Sequence, residues 1–276
     1  MPIIDTHHHF WNYTAKEYDW INDDMKAIRK DFLPADLLKE IKAAGVDGAV
    51  SVQARQTVAE SDWLLGMAEK NDFLKGVVGW VDLRNKGVEK DLERLAKHKK
   101  FKGVRHVVQG EPDDNFILGA AFNEGIKKLL KYDLRYDILI LEKHLKPSIA
   151  FVDKHPKQVF ILDHIAKPRI KDRILSPWRE NMLELAKRPN VYCKISGMLT
   201  EADWKKWSAA DLAPYFDTTL QAFGPKRLML GSDWPVMLVA GKYKQWVDMV
   251  KQVVSRYSAA EQERILYKNA VEAYKL

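Results

Sequence analysis

Short runs rich in β-branched and aromatic residues alternate with longer stretches of helical period along nearly the whole chain. A parallel sheet reads this way when a helix covers each strand in turn. The apolar runs predict eight strands. They are Pro2 to Thr6, a second beginning near Asp47 and carrying Ala49-Val50-Ser51-Val52, Gly76 to Val81, Gly103 to Val108, Arg135 to Ile140, Gln158 to Leu162, Asn190 to Ile195, and Arg227 to Gly231. Stripes of helical spacing follow them: Leu37, Leu38, Ile41 and Ala44 before a terminating Gly45, then Leu64, Leu65 and Ala68, then Val88, Leu92 and Leu95. The pattern continues through Phe122, Ile126 and Leu129; Leu145, Ile149 and Val152; Met182 and Leu185; Leu212, Phe216 and Leu220; and Trp246, Val250 and Val254.

Two segments fall outside the repeat. Phe10 to Phe32 carries Trp11, Tyr13, Tyr18 and Trp20 among many charges, and reads as a long first loop with a short helix near Asp24 to Arg29, placed where a pocket lid belongs. Ala259 to Ala273 reads as an extra C-terminal helix packing below or beside the sheet. The expected fold is therefore α/β, a distorted (β/α)8 TIM barrel formed by residues 1–276 as one domain. A doubly wound sheet is the main competitor, but no Gly-x-Gly-x-x-Gly run or Walker A loop favours it.

Composition narrows the function classes. A chain that is 46% hydrophobic and 30% charged, with nine Trp, folds around a large core. Its formal charge of +7 is spread over helix-like segments interleaved with Asp and Glu, which argues for solvated faces and against nucleic-acid recognition. Cys193 is the only cysteine, so no intrachain disulfide forms, and packing is its expected role. No stretch of about twenty apolar residues and no leader-like start is present, so the expectation is a cytoplasmic protein that is not membrane-bound. A homo-oligomer stays open.

The unusual polar residues gather at the predicted C-terminal strand ends, where barrels of this type build their sites. His7-His8-His9 comes off the first strand, and alternation sends His7 and His9 to one side, aimed at a metal, a water or a substrate, with His8 turned away. His164 follows Asp163 after the sixth strand, and Asp233 follows the eighth, where a carboxylate can bind metal or accept a proton. Asp163 is a candidate to orient His164. His106 is a candidate substrate or water contact, and Arg105, opposite it in alternation, fits either the pocket or an outer salt bridge. Lys194 offers a cation that polarises a carbonyl or holds an anion. His98, His144 and His155 read as surface residues.

The motifs Ile4-Asp5-Thr6-His7-His8-His9-Phe10-Trp11, Gly103-Val104-Arg105-His106, Leu162-Asp163-His164-Ile165-Ala166-Lys167-Pro168 and Gly231-Ser232-Asp233-Trp234-Pro235 together resemble the amidohydrolase superfamily. The resemblance is to its amidohydrolase-related (amidohydrolase 2) branch of sugar-lactone and pyrone-dicarboxylate lactonases, and it spans essentially the whole chain. It implies a barrel that opens a lactone such as L-fuconolactone or L-rhamnonolactone by attack of water on the ring carbonyl. On that reading Asp233 takes the water's proton, while His7, His9, His164 and Asp233 hold one divalent ion, Zn²⁺ for preference, or the histidines organise water without a metal. His164, Lys194 and His106 complete the catalytic set. Arg105, His106 and Lys194 contact the substrate, and Trp11, Trp20 and Trp234 wall one sugar face. No carboxylated-lysine position and no histidine in Tyr136-Asp137-Ile138-Leu139 match the two-metal members of the superfamily, which favours one ion over two. The competing readings are a pyrone-dicarboxylate or muconolactone-type hydrolase using Arg105, Lys167, Arg169 and Lys194, a metal-dependent decarboxylase, and a noncatalytic sugar-acid binder.

Overall fold

A computed structural model describes residues 1–276, and its eight strands form one parallel sheet in chain order. The strands are β1 (Ile4–His8), β2 (Gly48–Val52), β3 (Leu74–Gly79), β4 (Phe101–Val107), β5 (Arg135–Leu139), β6 (Phe160–Leu162), β7 (Val191–Ile195) and β8 (Leu228–Leu230). Helices α1 (Pro34–Ala44), α2 (Val58–Lys70), α3 (Val88–Leu95), α4 (Ala120–Leu129), α5 (Leu145–Lys154) and α6 (Trp178–Leu185) cover the first six strands in order. A short α7 (Met198–Glu201) precedes α8 (Ala209–Phe223), and α9 (Tyr243–Val254) follows β8. The covering helices bury the stripes read from their sequences, apart from the partly buried Leu38 and Ile149: Leu37 and Ile41 in α1, Leu92 and Leu95 in α3, Trp246 and Val250 in α9 are at most 2% exposed. This is the distorted (β/α)8 barrel expected.

The barrel closes irregularly. No ladder joins β8 to β1; instead His8 pairs with Trp234 in an isolated parallel bridge, His9 N–H donates to the Trp234 carbonyl at 2.7 Å, and Asp233 N–H donates to the His7 carbonyl at 2.8 Å. The seam is thus made by the same residues that carry the candidate site. β1 extends two residues beyond the expected Thr6, because pairing with β2 continues to His8 opposite Ser51.

The long first loop is pinned at its ends by an antiparallel bridge between Trp11 and Phe32, and it contains a 3-10 turn at Asp23–Ile28. The expected C-terminal helix is an unbroken helical run in which a π-helical stretch (Arg264–Lys268) lies between α10 (Ala259–Glu263) and α11 (Asn269–Tyr274). α11 plugs the barrel floor, setting Ala270, Ala273 and Tyr274 against Ile4, Val50, Val78, Ile161 and Met229. Two histidines expected at the surface are buried. His144 reaches Asp114, and His155 hydrogen-bonds Asn123 Oδ1 at 2.8 Å behind α4. No helix is long and apolar enough to cross a membrane.

Candidate active site

The register of β1 against β2 shifts between Asp5 and His8, so that His7 faces the barrel interior as Ile4 does three residues earlier, and His9, just past the strand, points to the same place, their Nε2 atoms 3.2 Å apart. His8 turns outward, where Ser51 Oγ meets its Nε2 at 3.1 Å. Asp233 Oδ1 lies 3.4 Å from His9 Nε2, 3.8 Å from His164 Nε2 and 3.9 Å from His7 Nε2. Ligating atoms of His7, His164 and Asp233 all fall within 4.8 Å of one another. The backbone is strained to achieve this. His164, Ile165, Ala166 and Lys167 have successive φ values of 53°, 49°, 60° and 47°, and Asp233 sits at 61°. Left-handed conformations in non-glycine residues are costly and cluster at functional sites. Gly197, itself at φ +70°, leaves His164 its space, because a Cβ there would lie 2.6 Å from His164 Cβ.

Partners on the far side of each ring fix its orientation. His9 Nδ1 donates to the Val52 carbonyl at 2.8 Å, which leaves Nε2 as a lone-pair donor, and His164 Nδ1 meets Ser196 Oγ at 2.9 Å. Two cations flank the His7 ring, Lys194 Nζ 3.2 Å from Nδ1 and Arg105 Nη1 3.3 Å from Nε2, and both are drawn to Asp163, whose Oδ1 is 3.3 Å from His7 Nδ1. His7 thus presents Nε2 to the cluster, while its Nδ1 faces Lys194 and Asp163. Burial holds His7 well below the usual histidine range, reinforced by Lys194, His9 and Arg105, and burial does the same to His164. Burial also pulls the Asp233 carboxyl upward, but His164, His9 and Lys167 more than offset it, so the net direction is down and the group is ionised near neutrality.

Lys194 does not reach the cavity. Fully buried beneath it, Nζ contacts Asp137 Oδ2 at 2.5 Å and Asp163 Oδ1 at 2.9 Å, and Tyr274 from α11 donates to the same Asp137 oxygen at 2.7 Å. Burial pushes the Asp137 carboxyl up to about 6 against the pull of Lys194. The cation at the cavity floor is Arg105, held by Asp163 at 3.1 Å and by the backbone and side chain of Gln53.

Alternation along β4 separates Arg105 from His106. Arg105 faces into the barrel, so its neighbour His106 faces out, stacked on Phe116 at 4.8 Å between ring centroids and hydrogen-bonded to Glu111 and Trp80, outside the residues that line the cavity. Trp11, fully buried, donates to the Lys30 carbonyl and packs on Tyr18 and Phe32. Trp234 lies under Phe10 and Phe32, so neither indole lines the cavity. Trp20 does, at the rim. The cavity measures about 620 Å³ and is walled by Glu17, Arg55, Gln109, Lys167, Glu201 and Trp204 among others. Reading the sequence alone did not single out Arg55, Glu201 and Trp204, which sit on loops and the short α7, where no periodicity marks them.

Three imidazole nitrogens and one carboxylate oxygen form a donor set suited to a divalent ion such as Zn²⁺, and the outer partners of the rings are those that orient metal ligands. The residues fit such an ion. Nothing near them supplies a second site, because Asp137, the inward acid of β5, is spent on Lys194 and Tyr274.

An α/β barrel with this cluster at its seam defines a class of enzymes, and the amidohydrolase family pattern matches residues 4–276. The chain belongs to that family. It is 38% identical to the L-fucono-1,5-lactonase of Burkholderia multivorans, over 99% of this chain and 96% of that one. It is 35% identical to the L-fucono-1,5-lactonase of Burkholderia ambifaria, over 99% and 95% respectively. A crystal structure of a Burkholderia multivorans amidohydrolase with bound zinc superposes with a TM-score of 0.94 at 38% identity, covering all of both chains.

Proposed function

We propose that this chain hydrolyses a neutral sugar lactone, of the L-fuconolactone or L-rhamnonolactone kind, to its aldonic acid, with one divalent ion held by His7, His9, His164 and Asp233. The observation that carries this reading is the convergence of three histidine nitrogens and an ionised carboxylate on the floor of a polar cavity whose cations are all matched. Arg105 is bound to Asp163, Arg55 lies 3.0 Å from Glu17, and Lys167 lies 3.8 Å from Glu201. The likeness to the Burkholderia lactonases supports the same substrate class.

A divalent ion in this cradle supplies positive charge that acidifies water and polarises a carbonyl. Asp233 accepts the proton of the water that attacks the ring carbonyl, and the guanidinium of Arg105 faces the negative charge that develops on the carbonyl oxygen. The bond from the carbonyl carbon to the ring oxygen then breaks. Asp233 returns the proton to that oxygen, leaving a hydroxyl and a carboxylic acid that ionises in water. Lys194 keeps Asp163 and His7 in register from below, a positioning role in place of the substrate contact expected of it. Trp20 and Trp204 offer apolar faces to the sugar ring.

A dianionic pyrone-dicarboxylate would need free cations, and the four considered for it do not converge. Lys194 is beneath the floor, and Arg169 is exposed and paired with Asp172. The test is a panel of L-fucono-, L-rhamnono- and D-galactonolactones, a pyrone-dicarboxylate and a dihydroxybenzoate, each assayed with and without added divalent ion and after chelation. Acid release from the sugar lactones supports the reading. Carbon dioxide release, or turnover of the dicarboxylate alone, contradicts it.

A further inference from the structure

Lys167 reaches the cavity from the left-handed stretch that begins at His164, and Glu201 reaches it from the C-terminal end of α7. Glu201 is the one carboxylate within ion-pair distance of Lys167, at 3.8 Å, and both side chains are largely buried, 18% and 25% exposed. Both line the same cavity as Asp233 and lie close enough for its charge to act on them. The pair therefore borders the place where the ring carbonyl is attacked. Hydrolysis changes the charge of what sits there, since a neutral lactone enters and a carboxylate leaves. An unmatched ammonium beside a partly desolvated site would bind that carboxylate far more strongly than the neutral ring, because charge attraction grows as the effective dielectric falls. It would convert a substrate pocket into a product trap.

We propose that Glu201 is the residue that sets charge selectivity in this pocket, matching Lys167 so that the neutral lactone is held and the anionic sugar acid is released. The identity of the anion rests on the lactonase reading, while the charge logic does not. Glu201 thus acts on product affinity, a specificity role distinct from the proton transfer assigned to Asp233. Arg55 and Glu17, 3.0 Å apart on another part of the wall, extend the same arrangement.

The experiment measures binding of L-fuconate, and of neutral L-fucose as control, to ion-supplemented protein by calorimetry. It compares wild type with Glu201→Gln, Lys167→Met and the double variant Lys167→Met/Glu201→Gln. Glu201→Gln keeps the shape of the side chain and removes its charge, and is expected to tighten L-fuconate about tenfold with no tightening of L-fucose. Lys167→Met, which leaves Glu201 unmatched, is expected to weaken L-fuconate by about the same factor. The double variant is expected to return to the wild-type value. The proposal is overturned if L-fuconate affinity is unchanged in both single variants, if L-fucose tightens equally, or if the tightening survives in the double variant. Lactone turnover by the wild type is scored separately. Tightening without any turnover leaves the charge pair standing and sinks the lactonase reading; turnover without tightening does the reverse.

Discussion

His164 occupies its position because four successive residues accept a left-handed backbone and because Gly197 has no side chain. Gly197→Ala places a methyl 2.6 Å from His164 Cβ, so the ring must shift. A displacement of about 1 Å in a reacting group costs on the order of 10²-fold, and we expect kcat/KM for the lactone to fall by at least tenfold with weaker divalent-ion affinity. Activity and ion titration within twofold of wild type would contradict that assignment. Protonation is set at the same scale. His7 and His164 are held below the ordinary histidine value by burial, and Asp233 below the ordinary carboxylate value by its neighbours, so none changes charge between pH 6.5 and 8. The folded groups take up protons only in more acid solution, so the acid limb of kcat/KM should fall below pH 6.5. A half-height at 6.5 or above would show that an ordinary histidine controls the rate.

Among the elements, α11 has a purpose that its apolar periodicity did not show. Tyr274 closes the barrel floor and donates to Asp137, which binds Lys194, which in turn contacts Asp163 and His7. Tyr274→Phe removes one buried hydrogen bond and should cost about 1–2 kcal/mol, read as a drop of a few degrees in thermal midpoint. Lys194→Met strands two buried carboxylates and should cost about 3–5 kcal/mol, and equal effects of the two substitutions would argue against the ordering of this network. The strands and covering helices were legible because alternation and helical spacing are local. That His7 and His9 share a side was legible for the same reason, whereas their facing inward depends on the register shift between Asp5 and His8, a long-range feature of the β1–β2 pairing. Alternation also showed that Arg105 and His106 part company, but which one faces the barrel depends on the register of β4 against β5. The depth of Lys194 depends on its long stem meeting Asp137 across the sheet, and the fate of Trp11 and Trp234 on how the first loop folds back, contacts between residues far apart in sequence.

For the molecule as a whole, closure and site formation are one event. The hydrogen bonds that join His9 to Trp234 and Asp233 to His7 both complete the barrel and bring the first histidines to the last carboxylate, although more than two hundred residues separate them. In the proposed mechanism the chemistry depends on Asp233 as the proton acceptor at that seam. The most direct test is the kcat of Asp233→Asn on L-fucono-1,5-lactone, with saturating divalent ion and a circular dichroism spectrum matching wild type. We expect a loss of roughly 10²–10⁴-fold. A folded Asp233→Asn enzyme that opens the lactone at the wild-type rate would contradict the account.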